Sequence, residues 1–157
     1  MGQRIIAVVG CGHWGKNLVR NFSELGALVA VCDPNQEIAE KFASEYAVEN
    51  LSFDAVLDDE RIGGVVLAVP ATLHAPMAVA AMNRGKSVLV EKPIAMDKFE
   101  AQLMLDAAKV NKVQLMIGHL LQYHPVFIAL KKLKESGELG NLQYLYSNRL
   151  SYSRRLY

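Results

Sequence analysis

The chain has 157 residues, of which 52% are hydrophobic and 21% are charged, as in an ordinary globular protein large enough for one principal core. Its 17 Lys and Arg residues and 16 Asp and Glu residues give a formal net charge of +1, which provides no electrostatic basis for binding nucleic acid or an anionic membrane. The first residues lack a secretory pattern, and no apolar run approaches the roughly 18 residues of a membrane span, so we expect a cytoplasmic protein.

Strand-like and helix-like segments alternate along the first part of the chain, up to Gly118. Five continuous apolar runs have the pattern of parallel strands covered on both faces, and they occupy residues 5–9, 28–31, 65–69, 88–90 and 113–117. Because parallel strands need right-handed crossovers, this alternation predicts an α/β fold with a doubly wound parallel sheet of the Rossmann type.

Helical periodicity lies between these runs. The apolar faces of two helices are predicted from Leu18, Val19, Phe22 and Leu25, and from Phe99, Leu103, Ala107 and Val110. Thr72 is predicted to cap the N-terminus of another helix, which ends near Gly85. Asp97 and Glu100 predict a capping box at the start of the helix that contains Phe99.

The pattern changes after Gly118. Residues 126–135 predict a helix, and residues 142–152 alternate apolar and polar side chains, as in a strand with one buried face. We therefore predict a Rossmann domain over residues 1–120 and, over residues 121–157, the first helix and strand of a truncated second α+β domain. Because an apolar strand edge invites pairing, we expect a homo-oligomer formed through this C-terminal strand.

A glycine-rich loop follows the first predicted strand and precedes a predicted helix. Gly10, Gly12 and Gly15 fit the pattern G-x-G-x-x-G, in which the glycines permit a tight turn, close approach of a pyrophosphate, and close packing of helix on strand. Asp33 ends the second strand, where a carboxylate accepts hydrogen bonds from ribose hydroxyls and repels a 2′-phosphate. This context predicts a cofactor site for NAD rather than NADP. The alternative is a glycine turn and a surface Asp in another α/β fold.

The sequence allows two roles for each of the other ring-bearing residues of this loop. Trp14 either contacts the cofactor or packs on the sheet, and His13 either lines the pocket or is solvated. Cys11 and Cys32 are expected to be reduced, half-buried thiols, because a disulfide would restrain a loop that must approach a ligand. No metal site is predicted.

Glu91, Lys92 and Pro93 follow a predicted strand, at the edge where open α/β sheets bind ligands. A residue before proline is held in an extended conformation, so the Lys92 side chain projects in a defined direction. An amine in that place can hydrogen-bond a substrate hydroxyl and stabilise developing negative charge. The residues alone also allow an ordinary surface lysine at the start of a loop.

Three segments together resemble the cofactor-binding half of the Gfo/Idh/MocA oxidoreductase family: the early glycine loop, V-P-A-x-x-H at residues 69–74, and G-K-x-V-x-x-E-K-P at residues 85–93. The resemblance implies NAD(P)-dependent hydride transfer at a hydroxyl of a sugar or cyclitol. It implies that Lys92 is the catalytic residue beside the nicotinamide and that Glu91 shapes the same pocket. It also implies that further residues bind the cofactor, namely Val69, Pro70, Thr72, His74 and Pro93.

Residues 118–125 and 146–150 look most like bacterial dehydrogenases of nucleotide-linked amino sugars, such as UDP-N-acetylhexosamine or its uronate. This likeness makes His119, Gln122 and Tyr123 candidates for substrate binding. Many family members carry Arg before the aromatic residue of this crossover, where this chain has Gln122. His124, which precedes a proline, is either a pocket residue or the start of a helix.

The family's remaining catalytic Asp and His lie on a helix of the second domain and have no counterpart in this sequence. We therefore expect the 157-residue chain to bind NAD but to turn over little or no substrate by itself. The alternative hypothesis is a dinucleotide-binding sensor that regulates a partner without performing chemistry.

Overall fold

The computed structural model describes residues 5–148 of the chain. Contacts divide these residues into two compact units, one that extends to His119 and one that begins at Leu120. The first unit contains a six-stranded parallel sheet in the order β3-β2-β1-β4-β5-β6, which confirms the Rossmann-type α/β fold. Its strands are β1 (Ile6–Val9), β2 (Leu28–Cys32), β3 (Glu49–Asn50), β4 (Gly64–Leu67), β5 (Ser87–Val90) and β6 (Leu115–Ile117). Its helices are α1 (Gly15–Glu24), α2 (Gln36–Tyr46), α3 (Phe53–Asp58), α4 (His74–Asn83) and α5 (Lys98–Asn111).

The two faces of the sheet are both buried, which explains why its strands are continuous apolar runs. In β1, Ala7 and Val9 pack into one apolar cluster with Leu67 and Met82, whereas Val8 packs into a second cluster. A strand that is covered on both faces needs apolar side chains at every position rather than at alternate positions. The carboxyl ends of all these parallel strands therefore meet at one edge of the sheet.

Three short or polar elements have no counterpart among the predicted ones. Strand β3 has only two residues, too few for a periodic signal. Helix α2 begins at a capping side chain, with the Asn35 carboxamide accepting a hydrogen bond from Ile38 N–H at 3.2 Å. Helix α3 begins in the same way, with the Ser52 hydroxyl accepting from Ala55 N–H at 3.2 Å.

Helix α5 starts as predicted but buries a different face. Asp97 accepts a hydrogen bond from Glu100 N–H at 2.9 Å, while the Glu100 carboxylate accepts from the N–H of Met96 rather than from Asp97 itself. The predicted apolar face is wrong, because Phe99 and Val110 are 71% and 78% exposed. The buried residues of this helix are Met104 and Ala108, which join the core cluster that also contains alanines of the neighbouring α4.

The helix predicted to start at Thr72 starts two residues later. Residues Ala71–Leu73 form a 3-10 turn, closed by a hydrogen bond from Leu73 N–H to Pro70 O at 2.8 Å. Helix α4 follows from His74, and no side chain caps it, so the prediction that Thr72 is its N-cap is wrong. The end of the helix is as predicted, with Gly85 in the left-handed region at a φ of 73°.

The second unit contains α6 (Pro125–Glu135), preceded by a 3-10 turn at Leu120–Tyr123. His124 caps this helix, because its Nδ1 accepts a hydrogen bond from Val126 N–H at 3.3 Å, so the helix-start alternative is confirmed. Residues 142–148 of the predicted C-terminal strand form no strand, and its residues 149–152 lie outside the described residues. A strand needs a neighbouring strand to bond, and the described part of this unit contains none. Within residues 5–148, no helix has the length and apolarity to cross a membrane.

Candidate functional site

The glycine loop, residues 10–15, connects β1 to α1 at the carboxyl edge of the sheet. Gly10 has a φ of 89°, and a Cβ there would come within 2.5 Å of Ala68 O. A Cβ at Gly15 would overlap Gly10 O. Gly12 differs, because it is exposed and, apart from its two chain neighbours, no described residue has an atom within 4 Å of the place where its Cβ would be. The fold therefore requires Gly10 and Gly15, whereas Gly12 leaves open the space that an approaching pyrophosphate needs.

The start of α1 is suited to an anion. Its first turn contains no acidic residue, and its N-cap residue, Trp14, forms no capping hydrogen bond with its side chain. The first N–H groups of a helix lack intrahelical acceptors and carry a partial positive charge. In α1, Lys16 N–H donates to Gly12 O at 3.1 Å and Asn17 N–H donates to Trp14 O at 3.0 Å, so the glycine loop is bonded to the start of the helix. The partial positive charge of this helix N-terminus therefore lies next to Gly12, as in sites that bind the phosphates of dinucleotides.

Asp33 follows β2 and is fixed by two backbone donors. Its Oδ2 accepts from Cys11 N–H at 2.7 Å, which ties the glycine loop to β2, and its Oδ1 accepts from Asn35 N–H at 2.9 Å. A carboxylate has about four acceptor positions, so each oxygen can still accept a ligand hydroxyl. Burial, and secondarily the charge of Asp33, raise the pKa of Cys11 to about 12 and that of Cys32 to about 11. Both cysteines are free and buried, with exposed fractions of 2% and 7%, which is deeper than the predicted half-burial.

A cleft of ≈ 760 Å³ lies beside these residues. The predicted cofactor-binding residues that line it are Gly10, Gly12, Asp33, Val69 and Pro70. Sequence reasoning missed the rest of the lining, which includes Gln36, Asn50, Leu51, Ser52, Phe53, Leu73 and Met77. Three of these, Leu51, Ser52 and Phe53, follow β3, and their signal in the sequence is the Ser52 cap that starts α3 rather than any apolar periodicity.

A second group of residues surrounds the end of β5. Glu91 is only 7% exposed, and its Oε1 accepts a hydrogen bond from Trp14 Nε1–H at 2.6 Å. Its Oε2 accepts from Lys92 N–H at 3.3 Å. Lys92 is exposed, and its peptide bond to Pro93 is cis. Trp14, whose role the sequence left open, therefore contacts the Glu91–Lys92–Pro93 segment.

His74 connects the two groups from within the core. Its ring is buried, with Nδ1 2.7 Å from Pro93 O and Nε2 3.0 Å from Val69 O. Both ring nitrogens thus contact backbone carbonyls, one in the loop after β4 and one in the segment after β5. Thr72, in the turn before His74, is exposed, as is His13 in the glycine loop.

The candidate substrate residues are distributed over both units. His119 is exposed at the end of the first unit, next to Gly118, which follows β6. Gln122 and Tyr123 are exposed in the 3-10 turn of the second unit, where Gln122 lines a groove of ≈ 920 Å³ with apolar residues of α6 and of the segment after it.

Residues 4–119 match the Gfo/Idh/MocA family, which is described as an oxidoreductase family with an NAD-binding Rossmann fold. The chain belongs to this family. It is 33% identical over 145 residues to the scyllo-inositol 2-dehydrogenase (NAD+) of Bacillus subtilis, an alignment that covers 88% of this chain and 42% of that protein.

Two solved structures resemble the chain closely. UDP-N-acetylglucosamine 3-dehydrogenase from Acidithiobacillus ferrooxidans has a TM-score of 0.78 and 30% identity, covering 84% of this chain and 43% of that one. GenD2 from gentamicin A biosynthesis, solved with NAD, has a TM-score of 0.82 and 29% identity, and the match covers 88% of this chain and 41% of that one. Structures below 25% identity that share the fold include one with NADP. The chain spans less than half the length of these relatives and carries the NAD(P)-binding domain of an oxidoreductase.

Proposed function

We propose that this chain is the cofactor-binding part of an NAD-dependent dehydrogenase that acts on a hydroxyl of a sugar, with a nucleotide-linked amino sugar as the preferred substrate class. The observation that carries the proposal is the joining of two predicted sites at one sheet edge. Gly12 and Asp33 face a cleft of suitable size, and Trp14 connects the glycine loop to Glu91, which precedes Lys92. We also propose a cytoplasmic location, which two buried free thiols favour.

The cofactor would be held mainly by backbone and by one carboxylate. The open space at Gly12 and the uncapped start of α1 suit the pyrophosphate, and Asp33 suits the hydroxyls of the adenosine ribose. Apolar side chains such as Leu51, Phe53 and Met77 line the cleft, as a flat adenine ring requires. When bound, NAD accepts a hydride at its nicotinamide.

Lys92 would act on the reacting hydroxyl. Its neighbours are both fixed, since Glu91 is buried and Pro93 O is hydrogen-bonded to His74. The exposed Lys92 amine can then donate a hydrogen bond to a substrate oxygen and stabilise negative charge that develops on that oxygen. His119, Gln122 and Tyr123 are proposed to contact the sugar.

The substrate class rests on the likeness to the A. ferrooxidans enzyme, whose name specifies a UDP-linked amino sugar. Likeness to an inositol dehydrogenase makes free cyclitols the competing class. Reduction of NAD with a panel of UDP-sugars and inositols, measured in an enzyme that contains this chain and a C-terminal half, separates the two. In that enzyme Lys92→Ala should lower turnover by about 10²–10⁴-fold, and unchanged turnover would favour the sensor hypothesis instead.

The cofactor site itself can be tested in the chain alone with Gly12→Val. Among residues 5–148, no atom outside the two chain neighbours of Gly12 lies within 4 Å of the new Cβ, so the variant should unfold at about the same temperature as the wild type. Its branched side chain would occupy the pyrophosphate position, so calorimetric titration should detect no NAD binding. Gly63→Ala, an exposed glycine at the other edge of the sheet, is the matched control and should bind normally. Normal NAD binding by Gly12→Val would contradict the proposed site.

A further inference from the structure

The side chains of Trp14 and Glu91, which lie 77 positions apart in the sequence, form a hydrogen bond. The indole Nε1–H donates to Glu91 Oε1 at 2.6 Å. The Trp14 residue is 44% exposed, whereas Glu91 is 7% exposed. A hydrogen bond to a carboxylate is stronger than one between neutral groups, and a buried carboxylate depends on such donors.

The Glu91 carboxylate is confined on its other sides as well. Its second oxygen accepts from Lys92 N–H, so the side chain folds back onto the backbone of the next residue. Gly118, after β6, leaves the space that the carboxylate occupies, because a Cβ there would lie 3.1 Å from the carboxyl carbon and from both oxygens. Gly118 therefore contributes to the site by having no side chain, a role that sequence reasoning missed.

We propose that Trp14 is a positioning residue for Lys92. Its indole N–H fixes the Glu91 carboxylate, and that carboxylate holds the Lys92 N–H, which sets the direction in which the Lys92 side chain leaves the backbone. The inference rests on the proposed role of Lys92 at the reacting hydroxyl.

The position of Trp14 in the chain gives this bond a second consequence. Trp14 lies between Gly12 and Gly15, in the loop that is proposed to hold the pyrophosphate. His74 anchors the other side of Lys92 through Pro93 O, but His74 lies in α4 and outside that loop. Of these two anchors, only Trp14 therefore links the order of the cofactor loop to the placement of Lys92. Loss of the bond should disturb both.

A role in packing alone would not need the indole N–H, so two conservative variants separate the possibilities. Trp14→Phe keeps an aromatic ring and removes the donor. Glu91→Gln keeps the shape of the acceptor and removes its charge. The control is Phe42→Leu in α2, which removes an aromatic ring that stacks on Tyr46.

The experiment uses the 157-residue chain with three readouts. The chain has one tryptophan, so its indole N–H gives a single side-chain signal in a ¹H–¹⁵N spectrum, and Glu91→Gln should move that signal. Reductive ¹³C-methylation of lysines, with the Lys92 signal assigned by Lys92→Arg, should show that signal displaced in Trp14→Phe and in Glu91→Gln but not in Phe42→Leu. Calorimetry should show NADH affinity weakened about tenfold in either variant, and no further in the double variant.

Each outcome bears on the proposal. A Lys92 signal in Trp14→Phe that is identical to the wild type would overturn it, and so would effects of the two substitutions that simply add. If Trp14→Phe does not fold, Glu91→Gln still decides the matter through the indole and Lys92 signals. If the wild-type chain binds no NADH, the proposed function fails, while the two spectroscopic readouts still test the link from Trp14 to Lys92.

Discussion

Substitution of Asp33 tests the electrostatic basis of cofactor choice. The Asp33 carboxylate lines the cleft and accepts hydrogen bonds from Cys11 N–H at 2.7 Å and Asn35 N–H at 2.9 Å. Asp33→Asn retains the size of the side chain and one acceptor oxygen but removes the negative charge. Asp33→Ala removes the charge and both acceptors. Comparison of the two variants therefore separates the contribution of charge from that of loop anchoring.

The expected magnitude follows from the contacts. A hydrogen bond to a charged group contributes about 1.5–3 kcal/mol to binding. Since about 1.4 kcal/mol corresponds to a tenfold change in a dissociation constant, loss of the ribose contact should raise the dissociation constant of NAD by about 10–150-fold. The affinity for NADP should fall by less or should rise, because the negative charge that repels its 2′-phosphate is gone. Asp33→Ala also leaves Cys11 N–H without this acceptor, which should lower the free energy of unfolding by about 1–3 kcal/mol, more than Asp33→Asn does.

Calorimetric titration with NAD and with NADP gives the two affinities, and urea unfolding gives the stability. Asp106→Asn, on the exposed side of α5, is the control for removing one negative charge from the surface. The wild-type chain should prefer NAD. An unchanged ratio of the two dissociation constants in Asp33→Asn would refute the assignment of Asp33 to the ribose.

Lys86 is 4% exposed and donates from Nζ to Asp59 O and Ile62 O, each at 2.8 Å. Lys86→Met should therefore lower the free energy of unfolding in urea by about 2–3 kcal/mol, whereas Lys109→Met, at an exposed position of α5, should change it very little. Equal effects of the two substitutions would contradict the role of these hydrogen bonds. Burial and a raised pKa should protect Cys11 and Cys32 from iodoacetamide at pH 8 in the native chain, as mass spectrometry can show. Because the folded pKa values lie above the ordinary 9.0, unfolded thiols ionise first, and stability should fall as the pH rises from about 9 to about 11; a stability that stays constant over that range would oppose this. We expect a dimer or larger assembly formed through residues 142–152, and a monomer in analytical ultracentrifugation would contradict this. The pure chain should oxidise little or no sugar, and rapid turnover in an activity assay would contradict that expectation.

Local signals in the sequence determined most of the sheet and the outline of the cofactor loop. Buried parallel strands need continuous apolar runs, so β1, β2, β4, β5 and β6 were predictable to within one or two residues. Gly10 has a φ of 89°, which favours glycine, and a Cβ at Gly15 would overlap Gly10 O of the same loop. The Asp97 carboxylate accepts a hydrogen bond from the N–H three residues further along the chain. Such features depend on neighbours in the chain, which is why a pattern can predict them.

The tertiary structure alone decided which side chains meet across the fold. Helix α5 has apolar residues on two faces, and packing with α4 buries Met104 and Ala108 and leaves Phe99 exposed. Trp14 bonds Glu91, and His74 contacts the carbonyls of Val69 and Pro93, because the crossovers bring distant loops to one sheet edge. Periodicity records whether a residue is buried but not which partner it contacts, since that depends on how whole elements pack. The chemistry proposed for Lys92 therefore depends on contacts that no local pattern in the sequence specifies.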